Sequence, residues 1–124
     1  MMDSRAVTPV YVSSHIQEKC NQDAALWAQI RIVQDDCQQR NLREIAAIAD
    51  RRLRDGFLVL RRGRLRIIAQ LRDVNGQHVL CLIDVLDRGS EENRYFRWLR
   101  TIEAGKGGDQ ARSNEELHRW PHEQ

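Results

Sequence analysis

Lysine is nearly missing from this 124-residue chain: Lys19 and Lys106 are its two lysines, and the remainder of its 20 basic residues are arginine. The positive charge is therefore not a general ammonium coat for solubility. Guanidinium groups favour bidentate contact with phosphate. Long apolar runs are also missing, and none approaches the roughly 20 residues of a membrane helix. Met1 to Val10 lacks the apolar centre of a signal peptide. The expectation is a soluble cytoplasmic protein with no membrane partner. Cysteine is scarce: Cys20, Cys37 and Cys81 give an odd count with no close spacing, which argues against a disulfide framework and against a zinc site. Cys20 and Cys37 fall on the apolar face of a predicted helix and read as small buried hydrophobes. There are no internal repeats and no phosphate-binding glycine loop, and neither metal nor cofactor is expected. Few aromatics sit on the strand-like runs, which argues against a stacking platform of the single-strand-binding type.

What is present is a concentration of arginine. Residues 51–72 hold eight arginines and one acid, net +7, whereas 1–50 carry −2, 73–103 carry −2 and 104–124 carry −1. A focused basic segment attracts a polyanion or an acidic protein. The plain alternative is a solvated charged face.

The hydrophobic pattern predicts an α+β domain over residues 1–103, with 104–124 a polar, Gly-rich, disordered tail in which Trp120 stands alone. Val7–Val12 reads as a short first strand, and Pro9 confines it to an edge or to its beginning. Ser14 and Gln17 fit a capping box, and Ile16, Cys20, Ala24, Trp27, Ile30, Val33 and Cys37 then form one stripe on a helix over 14–39. Asn41 and Glu44 cap a second helix, with Leu42, Ile45, Ala49 and Leu53 as its stripe and Gly56 as its stop. Strands follow at 57–60, 65–72 and 77–86, and Ser90 opens a last helix carrying Tyr95, Trp98, Leu99 and Ile102. The order is β-α-α-β-β-β-α: a helical hairpin packed on a small, mostly antiparallel sheet, with a short C-terminal helix.

On the third strand Leu65, Ile67, Ala69 and Leu71 should meet the helices, leaving the other face open. A two-residue turn at Asn75-Gly76 would set Ile67 opposite Asp84 and bury a carboxylate against the helices, which is costly. A three-residue loop, Val74-Asn75-Gly76, instead places Arg66 opposite Asp84 and Arg72 opposite His78. That register is the expected one. It gathers Arg64, Arg66, Arg72, His78, Asp84 and Arg88 on the open face, together with Leu80, Leu82 and Leu86.

The element order and two local patterns resemble the RelE/ParE superfamily of bacterial toxin–antitoxin toxins. Leu60-Arg61-Arg62-Gly63-Arg64-Leu65-Arg66-Ile67-Ile68 matches a leucine-rich strand ending in Arg and Gly, followed by an Arg-apolar-apolar strand. Val85-Leu86-Asp87-Arg88, followed by Tyr95, matches the family's closing Arg and Tyr. The resemblance covers about residues 7–100. It implies one of two activities. RelE-like members cleave messenger RNA on the ribosome by attack of the ribose 2′-hydroxyl on the adjacent phosphodiester, which needs proton transfer and cations around the phosphate. By motif, Arg66 and Arg88 would stabilise the phosphate, and Tyr95 would stack on a base or move a proton. ParE-like members block DNA gyrase instead.

The chain departs from the RelE pattern in several places. Arg51, Arg54 and Arg61 occupy the region where lysines are common, and arginine is no general base near neutral pH. Leu65 stands where an aromatic is expected and Asp87 where a His is frequent, and Tyr95 lies seven residues beyond Arg88. His78 is the remaining residue of suitable pKa; its plain reading is an exposed strand residue. Tyr95 also fits a core position of the last helix, and Arg66 with Asp84 fits a cross-strand ion pair. Three functions follow. The first is a ribosome-dependent endoribonuclease using Arg66, Arg88, Tyr95 and His78. The second is a non-catalytic module on the same scaffold, such as a gyrase blocker or a protein-binding descendant. The third is a nucleic-acid-binding protein whose phosphate contacts come from Arg51, Arg54, Arg61, Arg62, Arg64 and Arg72. The partners implied are an antitoxin protein and messenger RNA on the ribosome, or another polyanion.

Overall fold

A computed structural model describes residues 8–105. The start of the predicted first strand at Val7, the tail beyond Gly105 and Trp120 lie outside the described residues. Val10–Val12 forms β1 at one edge of a five-stranded mixed sheet of order β1-β5-β4-β3-β2. β1 is parallel to its neighbour, pairing Val10 with Leu80 and Val12 with Leu82; every other pairing is antiparallel.

The helical layer differs from the single stripe predicted for 14–39. Ser13, not Ser14, caps the first helix, its hydroxyl accepting from the Ile16 amide at 3.2 Å. That helix, α1, covers Ser14–Cys20, and a second, α2, covers Ala24–Gln38. The break falls where Asp23 turns its carboxylate onto the Leu26 amide and starts a new helix, a local bond that competes with continuation. The Asn41–Glu44 capping box forms in both directions and opens α3, Leu42–Ile48. α3 ends earlier than expected because residues 51–52 pair as a short strand, β2, with Val59 and Leu58.

A single 3-10 turn at Arg54–Gly56 leads into β3, Phe57–Arg62. Gly56 has φ +79°, and a Cβ there would sit 2.8 Å from the Leu71 carbonyl oxygen, so only glycine lets the chain cross β4 this closely. β4 is Leu65–Val74, β5 is Gln77–Asp87, and α4 is Glu92–Glu103. α1, α2 and α3 cover one face of the sheet through Ile16, Ile30, Ile45, Leu60, Ile67, Leu80 and Leu82. The opposite face, expected to be open, is covered at its middle by α4. Tyr95, Leu99 and Ile102 seal Val59, Ile68 and Leu86 there, and all three strand residues are fully buried.

The β4–β5 hairpin corrects the predicted register. Its turn has two residues, with Asn75 at φ +53° and Gly76 at φ +80°, both left-handed as a type I′ turn requires. Val74 pairs with Gln77, Asp73 with His78 and Arg72 with Val79. The extra residue sits further along, as a bulge between the Ala69–Leu82 and Ile68–Asp84 pairs. Beyond it Arg66 pairs with Leu86, not with Asp84. The bulge removes the conflict that a two-residue turn had raised. It moves Asp84 from the helical-hairpin face to the Ile68 face and leaves Leu80 and Leu82 in the hairpin core. Leu86 goes to the α4 core. His78, by alternation, lies on the opposite face from Arg66 and Arg72, exposed at the tip of the hairpin.

Candidate functional site

Strand alternation sorts the arginines. Val59 lies under α4, so Arg61, two residues on, shares its face, as does Arg51, which pairs with Val59. Arg66 is directly opposite Arg61. Arg88 follows two residues after Leu86, and its backbone amide donates to the Arg64 carbonyl at 2.9 Å, which continues the ladder one step past β5. Arg51, Arg61, Arg66 and Arg88 therefore stand on the α4 face of four adjacent strands.

They are held differently. The mostly buried Arg66 side chain donates from Nη1 to the Gly63 and Leu65 carbonyls at 2.9 and 3.1 Å, and its Nε lies 3.9 Å from Asp50. Arg88 lies over two rings, with its guanidinium carbon 5.2 Å from the Tyr95 centroid and 5.0 Å from that of Phe96, and pairs with Glu92 at 3.5 Å. Arg51 and Arg61 are exposed and have no side-chain partner among the described residues. Arg61 facing Arg66 puts like charges across the ladder, an arrangement that costs stability unless an anion lies between them.

The other predicted site residues go elsewhere. Arg62 projects to the helical-hairpin face and donates to Gln29 on α2 at 2.7 Å. Arg64, in the β3–β4 turn, pairs with Asp87 at 3.0 Å. The Asp87 carboxyl is held below its ordinary range, chiefly by the Gly89 amide and further by the Ser90 amide and Arg64. Asp87 and Glu91 thus organise the start of α4 in place of the predicted Ser90 cap: the Asp87 oxygen accepts from both amides, and Glu91 accepts from the Asp87 amide. Arg54 donates to the Glu103 carbonyl at the end of α4, where a cation suits the helix dipole. Arg72 and His78 are at the far end of the β4–β5 hairpin. Tyr95 is 2% exposed and sits in the α4 core beneath Arg88. All three cysteines are buried free thiols, and burial pushes Cys37 up to about 11 and Cys81 up to about 12.

Sequence reasoning missed two features. Phe96, half-buried beside Arg88, carried no signal beyond its place in the last helix. The second is a polar centre around Asp84, which is 2% exposed and whose carboxylate has four polar partners. They are the Val85 amide at 2.8 Å, His15 Nε2 at 3.2 Å, Lys19 Nζ at 3.0 Å and Trp98 Nε1 at 3.0 Å. Lys19 also donates to the Val85 carbonyl at 2.6 Å, and Ser13 donates to the Ile83 carbonyl at 2.7 Å. Here β1 has ended and α1 lines the exposed edge of the bulge, so side chains satisfy backbone groups that a strand would otherwise pair.

Among the described residues no group of histidine, cysteine and carboxylate side chains is arranged to hold a metal ion, and no helix is long and apolar enough to cross a membrane. The sequence matches no protein-family model and no curated protein.

Proposed function

We propose that this protein binds the phosphate backbone of a nucleic acid through Arg51, Arg61, Arg66 and Arg88, as a binding module on a RelE/ParE-like scaffold. The observation that carries this reading is the Arg61–Arg66 pair: two arginines in register across one ladder, with Arg61 exposed and an exposed Arg51 on the same face. A bound phosphate converts that repulsion into bidentate contacts. Binding is favoured over cleavage by the disposition of the proton-transfer groups. Asp50 and Glu92, the carboxylates beside these arginines, are paired with Arg66 and Arg88. The Tyr95 ring is in the core, and His78 is on the other face. A toxin-like role would add an acidic antitoxin competing for the same arginines.

The test is fluorescence anisotropy with a labelled RNA oligonucleotide across a salt series, wild type beside Arg51→Ala/Arg61→Ala. The expected result is wild-type binding that weakens with salt, and a variant at least tenfold weaker with a shallower salt slope. Absence of wild-type binding at low salt, or an unaltered double variant, would overturn the reading. The same reactions run on a gel address cleavage: shortened RNA would restore the ribonuclease reading.

A further inference from the structure

The large hydrophobic side chains left exposed among the described residues are Ile32 on α2 and Ile48 at the end of α3, at 44% and 42%. They are not scattered. Both line one groove of about 310 Å³, which opens between α2, α3 and the last residues of β3. An exposed apolar side chain standing alone needs no explanation, but exposed apolar side chains that share a groove mark a contact surface. The sheet edge beside the groove is uncovered as well. β2 pairs only with Leu58 and Val59, so no strand among the described residues flanks the outer side of β3 from Leu60 to Arg62.

The groove carries opposite charge at its two ends. Arg61 and Arg62 line one end and Asp36 lines the other. Arg62 donates to Gln29, which places it level with a residue three before Ile32 on α2, whereas Asp36 is four after it. Ile32 is therefore near the midpoint between the two signs, with about 5 Å of helix on one side and about 6 Å on the other. Asp36 has an exposed i,i+4 pair with Arg40, which holds it only weakly. Asp35 beside it is exposed and has no partner among the described residues.

A surface with this pattern complements itself. A two-fold axis crossing α2 at Ile32 lays the groove against its own copy end for end. α2 then runs antiparallel to its mate, the two Ile32 side chains meet on the axis, and Arg62 of each copy faces Asp36 of the other. Each charge pair forms twice. An axis along the groove would instead set arginine against arginine and aspartate against aspartate, which repulsion disfavours. A partner of single sign would suit one end of the groove and be repelled at the other, whereas a second copy suits both.

We infer that the protein forms a two-fold homodimer through this groove, centred on Ile32 with Arg62–Asp36 pairs at the rim. The groove is on the helical-hairpin face and meets the phosphate-binding arginines only at Arg61, so the inference stands apart from that reading.

Sedimentation velocity of the full chain over a dilution series tests it. The mass should rise with concentration from 14.5 kDa to twice that value. A dissociation constant of roughly 1–100 µM is expected for an interface of this modest size. Wild type is run beside Ile32→Glu, Asp36→Arg, Arg62→Glu and the Asp36→Arg/Arg62→Glu double reversal, each first checked for an unchanged unfolding midpoint. Ile32→Glu sets two like charges on the axis and should weaken association by roughly 50-fold or more. Each single reversal should weaken it by roughly tenfold. The double reversal again opposes unlike charges across the interface, and should return the constant to within about threefold of wild type. A general effect on folding or solubility would not be rescued in this way. A double reversal no tighter than the single ones, or a dimer that persists in Ile32→Glu, would overturn the inference. So would a wild type that stays monomeric throughout, which would assign the groove to a different occupant.

Discussion

On one flank of α4 the Asp84 carboxylate is buried among four polar partners from α1, α4 and its own strand; on the other, Arg51 and Arg61 are exposed and unpartnered among the described residues, and Arg61 pairs in register with Arg66. The same kind of group, a formal charge on a strand, is enclosed by partners in one place and left without one in the other. A buried charge lacking one partner destabilises the fold strongly. An exposed charge set beside a like one costs a few tenths of a kcal/mol and can persist where a ligand relieves it. Loss of charge on the first flank should therefore unfold the protein, and on the second should release the ligand.

The largest effect is expected from Asp84→Ala. It strands the Trp98 indole N–H and the Val85 amide at the bulge and takes the nearest carboxylate from Lys19, at a cost of about 3 kcal/mol. Urea unfolding should show the midpoint drop with the slope unchanged. A midpoint within error of wild type would mean that water serves those donors equally well, and the contrast between the flanks would vanish. Trp98→Phe is the milder cut on the same flank, since it keeps an aromatic ring and removes one donor to a charged acceptor. A loss of about 1.5 kcal/mol is expected, with RNA affinity unchanged. Weaker RNA binding in a folded Trp98→Phe protein would show that the two flanks are not independent.

Much of this arrangement was legible in the sequence. Apolar periodicity located the helical segments before Gly56, though not the break between α1 and α2, and it located the three long strands and the last helix. That Asp84 should be kept off the helical-hairpin face is legible in the sequence, but where the chain makes the adjustment is not. An extra residue was required between Asn75 and Asp84; the turn could hold it, and so could a bulge. Asn75-Gly76 is well suited to a two-residue I′ turn, so the insertion moved to Ile83, where β1 ends and α1 can supply polar groups to the distorted edge. That choice depends on contacts between residues some 70 positions apart, such as Ser13 with Ile83, which local pattern does not encode. The arginine site was half legible for the same reason. Composition located the charge, but which arginines share a face depends on where the ladder slips. Arg62 and His78 went to the other face, and Phe96 came into the site through helix packing alone.

The smallest predicted effect has the opposite sign. Arg61→Gln keeps the length of the side chain and removes one of the two opposed charges. It should stabilise the free protein by a few tenths of a kcal/mol, because like charges across a ladder repel. The gain should be visible near 20 mM salt and shrink towards zero near 1 M, where the Debye length falls to about 3 Å. The same variant should bind the RNA oligonucleotide more weakly than wild type. A stability gain combined with an affinity loss is what a ligand-holding charge pair produces, whereas a merely solvated arginine would show neither. If Arg61→Gln instead destabilises the protein at low salt, then Arg61 has a structural partner in solution, and the two flanks of α4 use charge in the same way.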